Sequence, residues 1–302
     1  MRTVSALCLL AAALVVGHLQ VTAAETARLR FLAAAYTDDK GVALSLPEAV
    51  ACNSSGQVVI GDTGNRRLLR FAFRDGKLEW QGAISVPQLS RPARLQLNSK
   101  GEILGLDASQ RRVVRLGPAG EFREVLAFSG VPGSATVVPK GIAVDAADNI
   151  YVLDVFSARV LVLSAQGKFQ RSLTYPSDAG FATDLAVDSA GSLFLLDSIR
   201  RRMFSAAKGV DSFSPLGGDL AGSLATMPTS VTASKGVIFV AEGSGSSIVA
   251  FGRDGSFLAR QLTMGWEEGS LNHPSQMCIT DKDEVFIADR DNSRIQVFQL
   301  IR

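Results

Sequence analysis

The stretch VFIADRDNSRIQVF, Val285 to Phe298, decides how the chain reads. It sets Asp289, Asp291, Asn292 and Ser293 between two apolar runs. Oxygen-bearing side chains at alternate positions, Asp289, Asp291 and Ser293, match the opening of an EF-hand loop. Such a loop then needs glycine at its sharp turn and glutamate as its last ligand. Arg294 and Leu300 stand in those two places, so the calcium-loop geometry fails.

The stretch is instead one copy of a repeat, and a repeat governs the whole fold. An acid closes an apolar run six times, as Asp62, Asp107, Asp154, Asp197, Glu242 and Asp289. The spacing is 43 to 47 residues. Five residues after each acid come Arg67, Arg112, Arg159, Arg202, then Ser247 in the fifth copy, then Arg294. A proline precedes the acid by fifteen residues at Pro47, Pro92, Pro139 and Pro274; the fourth copy has Ala182, and the fifth is shifted by one to Pro228. Six residues before the acid stand Gly56, Gly101, Asp148, Gly191, Gly236 or Asp283, which tolerate left-handed backbone in a tight turn. Short strands with turn signals every 8–12 residues indicate an antiparallel all-β design. Four strands in about 45 residues make one propeller blade. The acid and arginine flank a link between strands, and their recurrence assigns them to the framework. A charge-assisted hydrogen bond or capping of loop amides is the expected role.

These residues also resemble a known family. Pro139 with IAVDAADNIYVLDVFSARVLVL, and Pro274 with VFIADRDNSRIQVF, are similar to NHL repeats. The resemblance runs from about residue 27 to residue 302 and is weakest in the fifth copy, where GSGSS follows Glu242. It implies an all-β, six-bladed β-propeller of four-stranded antiparallel blades. The last copy ends after its third strand. Arg28 to Tyr36 (RLRFLAAAY) is then expected to supply the outer strand of that blade and close the ring.

The N-terminus reads as a secretory signal peptide, residues 1–24, leaving residues 25–302 as one propeller domain. Arg2 gives a positive end, Ala6 to Val16 an apolar run, and the segment around Ala23 and Ala24 fits small-residue cleavage. The chain is expected to be exported, to a periplasm or outside the cell, with no membrane span once the signal is removed. Beyond the signal remain two cysteines, Cys52 and Cys278, and one histidine, His273. That excludes zinc held by three histidines, four cysteines or two of each. Cys52 and Cys278 fall on the innermost strands of blades one and six. They either face each other across the closure, where export permits a disulfide, or lie apart as small buried hydrophobes.

Function is expected on one face. Glu48, Arg94, Lys140, Asp184, Thr229 and Gln276 begin the innermost strands and should line the channel mouth. A calcium ion there would want convergent oxygens and excess negative charge, against which Arg94 and Lys140 argue. No resident cofactor is expected. Arg66, Arg111, Arg115, Arg200 and Arg201 form a basic set near the inter-strand links, suited to an anionic polymer or an acidic protein. Trp266 lies in a loop where it could anchor a partner. Thirty-one lysines and arginines against 29 acids, with no aromatics among the arginines, exclude a nucleic-acid reading. The reading is an exported, non-enzymatic, monomeric ring that binds an envelope or extracellular protein or an anionic polymer. The alternative is a calcium-dependent hydrolase like the gluconolactonase and paraoxonase propellers.

Overall fold

The computed structural model describes residues 27–133, 136–217, 220–223 and 227–302. The proposed signal peptide lies outside the described residues. Among the described residues the strands form six four-stranded antiparallel sheets. Five are simple meanders. The sixth takes Pro274–Ile279, Glu284–Asp289 and Arg294–Ile301 from the C-terminal end and Arg28–Ala35 from the N-terminal end. The closing pair runs from Arg28 opposite Ile301 to Ala35 opposite Ile295, with one irregularity between Phe31 and Ala33. Pairing both ends of the chain in one sheet leaves the ring without a free seam.

The middle strands are buried on both faces, and this explains their unbroken apolar runs. In Gln57–Asp62, Val58 and Ile60 pack towards blade six, whereas Val59 packs towards blade two. The same alternation recurs around the ring, so the core is six separate seams between neighbouring blades. The inner turn residues adopt left-handed backbone as expected, from Gly56 (φ 85°) to Asp283 (φ 62°). A second left-handed position was not read from the sequence. The residue just before each repeat arginine, or before Ser247 in blade five, has positive φ: Arg66, Arg111, Ala158, Arg201, Ser246 and Ser293. Each link therefore holds one strained non-glycine residue.

Cys52 and Cys278 face the seam between blades one and six and form a disulfide there, with Cα atoms 5.9 Å apart. No helix among the described residues is long and apolar enough to cross a membrane.

Candidate functional site

All six repeat acids are fully buried, and the five aspartates each tie their link to the loop that leads into their own blade. Asp289 accepts from the Asn272 amide at 2.6 Å, from Arg294 Nε at 2.7 Å, and from Asn292 and Gln296 at 2.9 Å. Asp62 and Asp154 likewise accept from an upstream amide and from Arg67 or Arg159. In two blades the expected pair is absent. Asp107 takes the amides of Ser90, Arg91, Ser109 and Gln110, and Arg112 donates to the Gln88 carbonyl. Asp197 takes the amides of Gly180, Phe181, Ile199 and Arg200, and Arg202 pairs with Asp178 on the rim. Four amides satisfy the carboxylate there, which releases the arginine. In blade five Glu242 bonds Ser247, and Arg260 from the outer strand replaces the missing arginine. Burial pushes the Asp107 carboxyl up, but its hydrogen bonds from Ser109, Gln110, Arg91 and Ser90 outweigh this and hold it below the ordinary range.

These anchors fix where the inner strands begin, and the axis is filled from there. Gln276 reaches from blade six to blades one and two; its Oε1 accepts from Val50 and Leu95, and its Nε2 donates to the Leu95 carbonyl. Arg94 spans the channel. It donates to the Thr229 carbonyl at 2.7 Å, and its Nε lies 3.5 Å from Asp184 Oδ1. The other Asp184 oxygen accepts the Val231 amide at 3.0 Å. Burial raises the Asp184 carboxyl, with Arg94 pulling it down. Asp184, Arg94 and Gln276 thus form a cross-braced polar plug.

Above the plug opens a pocket of about 330 Å³. Glu48, Arg94 and Lys140 line it, as the sequence suggested, together with His273 and Arg290, which it did not single out. Glu48 lies 3.4 Å from Arg91 and 3.7 Å from Arg290, so its charge is already met. Lys140 differs. It is open to solvent, and among the described residues it has neither an ion-pair nor a hydrogen-bond partner. Enclosure by the mouth, followed by the charge of Arg94, pushes its ammonium below the ordinary lysine range, while Glu48 and Asp184 pull the other way. His273 Nδ1 sits 3.1 Å from Asp291 Oδ2 on the same wall.

The basic set divides. Arg66, Arg111, Arg200 and Arg201 occupy equivalent links on the mouth face. Arg115 does not, and its inclusion is corrected. It belongs to the strand Arg112–Leu116, is buried, and meets Glu124 at 3.0 Å and Glu102 at 3.5 Å. The mouth face also carries exposed apolar side chains: Trp266 at 83%, Ile199 at 69%, Phe156 at 66% and Met227 at 64%. Trp266 does not cover a blade edge; only its carbonyl is held, by Arg294. Phe156 and Ile199 hold the same place in successive links, two residues after the repeat acid, a register legible only after alignment of the repeats.

The NHL repeat family model matches residues 271–298, the sixth blade and the stretch around Asp289. The chain is a six-bladed β-propeller with an NHL repeat in its sixth blade. No curated protein matches it in sequence. Solved propellers match in fold. One is a catalytically inactive virginiamycin B lyase from Staphylococcus aureus with quinupristin: 14% identity, 91% of this chain, 100% of that chain, TM-score 0.64. A gluconolactonase from Xanthomonas campestris shares 15% identity over 92% of each chain, TM-score 0.63. The structure of a nidogen–laminin complex matches with 18% identity, 73% of this chain, 81% of that chain, TM-score 0.58. At such identities the likeness is one of fold.

Proposed function

We propose that this NHL-repeat propeller is a binding scaffold whose channel mouth receives an anionic group from an exported partner protein. The observation that carries the reading is Lys140, a cation without a partner among the described residues, in a pocket whose one acid, Glu48, is already paired with Arg91 and Arg290. An incoming carboxylate would complete it and gain a charge-assisted hydrogen bond. The exposed ring of Phe156, Ile199, Met227 and Trp266 supports a macromolecular ligand, since apolar and aromatic side chains around a polar centre suit a protein interface. Export rests on residues 1–24 as a cleaved signal, which N-terminal sequencing of the mature protein tests.

The axial residues fit calcium poorly. Asp184 is committed to Arg94 and an amide, and Glu48 to two arginines, so convergent oxygens with excess negative charge are lacking. Among the described residues no cluster of three acids, histidines or cysteines suits a metal. One observation favours an enzymatic second reading. His273 meets Asp291 and lines the pocket, the arrangement of a base held by a carboxylate. The fold-related lyase was crystallised in an inactive form with a histidine changed to alanine. Turnover of a lactone or cyclic-ester panel, lost in His273→Ala, would establish that reading.

The binding reading is tested by NMR titration with N-acetylglutamate. Shifts of mouth amides are expected, with affinity falling roughly tenfold in Lys140→Met and falling again as salt is raised. Equal binding by wild type and variant would refute the mouth as the site.

A further inference from the structure

The two ends of each blade carry different turns. The repeat links lie at the mouth, while the turns at Asn53–Gly56 and Arg74–Gly76 lie at the opposite end of blade one. A second pocket opens there, of about 400 Å³, between blades one and two. Three cations line it, Arg70, Arg74 and Lys100, and no carboxylate does. Arg70, Ala72 and Arg74 alternate along the strand Arg67–Arg74, so one strand face presents both arginines to the pocket.

The repeat supplies an internal control. Arg70 stands three residues after the repeat arginine, and its counterpart in blade two is Arg115. Both donate to a carbonyl in the equivalent turn of the next blade, Arg70 to Pro118 at 3.2 Å and Arg115 to Ala165 at 2.8 Å. Arg115 is neutralised by Glu102 and Glu124. At the positions matching those acids, blade one has Gln57, five residues before Asp62, and Gly82, cross-strand from Arg70. Arg70 therefore keeps the scaffold that positions its guanidinium, with a second bond to the Gln81 carbonyl, and lacks both counter-charges. Its Nε is buried without a partner. Among the described residues Arg74 meets only Glu79, at 3.9 Å, with both side chains more than half exposed.

We propose that this pocket is a second anion site, on the face opposite the mouth, which takes the phosphate or sulfate group of a small molecule. Arginine forks match tetrahedral oxyanions, and three cations without an acid favour a multiply charged group over a single carboxylate. The volume lies in the range of small-molecule sites, so a sugar-sized body fits beside the oxyanion.

The test is calorimetric titration of the full chain with inorganic phosphate, sulfate and glucose 6-phosphate. Binding of at least one is expected at millimolar concentrations or below, and the tightest of them distinguishes a bare ion from a sugar-borne group. Gln57→Glu restores the acid of blade two and should weaken binding roughly tenfold or more. Arg74→Ala, at an exposed position that leaves folding intact, should weaken it as well. In a Lys140→Met background, which removes the mouth's own cation, the binding should persist. No binding of any of the three anions, or binding that Gln57→Glu changes by less than about twofold, overturns the proposal. Loss of binding in Lys140→Met would move the anion to the mouth and overturn it equally.

Discussion

Asp289→Asn removes the charge at the centre of the sixth link while keeping its shape. Three donors converge on Asp289 Oδ2, from Asn292, Arg294 and Gln296, and the Asn272 amide meets Oδ1. An asparagine oriented to serve the three donors turns its own NH₂ towards the Asn272 amide, leaving one buried donor unmet at about 1–3 kcal/mol. Arg294, at 2% exposure, also loses its counter-charge and keeps the carbonyls of Trp266, Glu267 and Ser270. Breaking one half of a buried pair costs about 3–5 kcal/mol, and the donor mismatch is part of that figure. Asp62→Asn is the matched control. Arg67 retains Asp38 at 2.7 Å, so the cation stays compensated and the expected loss is about 1–3 kcal/mol. Urea unfolding followed by near-UV circular dichroism reads both losses as midpoint shifts at constant slope. A loss below about 1 kcal/mol for Asp289→Asn, or equal losses for the two variants, would refute the reasoning.

Asp107→Asn tests the amide-capping links. The Asp107 carboxyl is held below its ordinary value of 3.8, so its contribution is present above that pH and lost as pH falls through the depressed folded value. Wild type should exceed the variant in stability at neutral pH, with the gap closing in acid titrations below 3.8; a gap that widens in acid would contradict the assignment. Cys52→Ser with Cys278→Ser, or reduction, opens a crosslink spanning 226 residues and should cost about 2–5 kcal/mol in urea unfolding. Alkylation of both cysteines in the unreduced, denatured protein would show that the bridge is not formed.

Much of the fold was legible because the repeat states the same constraint six times. A buried acid, a left-handed turn residue and alternating apolar runs each follow from backbone needs, and period reveals them without any partner sequence. Ring closure was legible for the same reason, since the last copy lacked one strand and the first segment had a strand to spare. The pairing of the repeat arginines was less so. Asp107 and Asp197 gather four amides each, a choice set by loop geometry that spacing does not encode. Arg115 was misplaced because its nearness in sequence to Arg111 and Arg112 hid its position far along the strand, beside Glu102 and Glu124. At the mouth the candidate residues could be named from the repeat, but their pairing could not: Arg94 meets Asp184 across the axis and Glu48 meets Arg91 of the next blade, contacts set by the ring's geometry. That pairing is what leaves Lys140 alone, and no linear pattern contains it.

The most direct measurement is the anomalous difference map of crystals of the mature protein soaked in bromide. The expected result is a peak within hydrogen-bonding reach of Lys140 Nζ in the mouth pocket, absent from crystals of Lys140→Met. Peaks confined to the rim arginines, with the mouth holding only water, would contradict the claim that the channel mouth is built to take an anion.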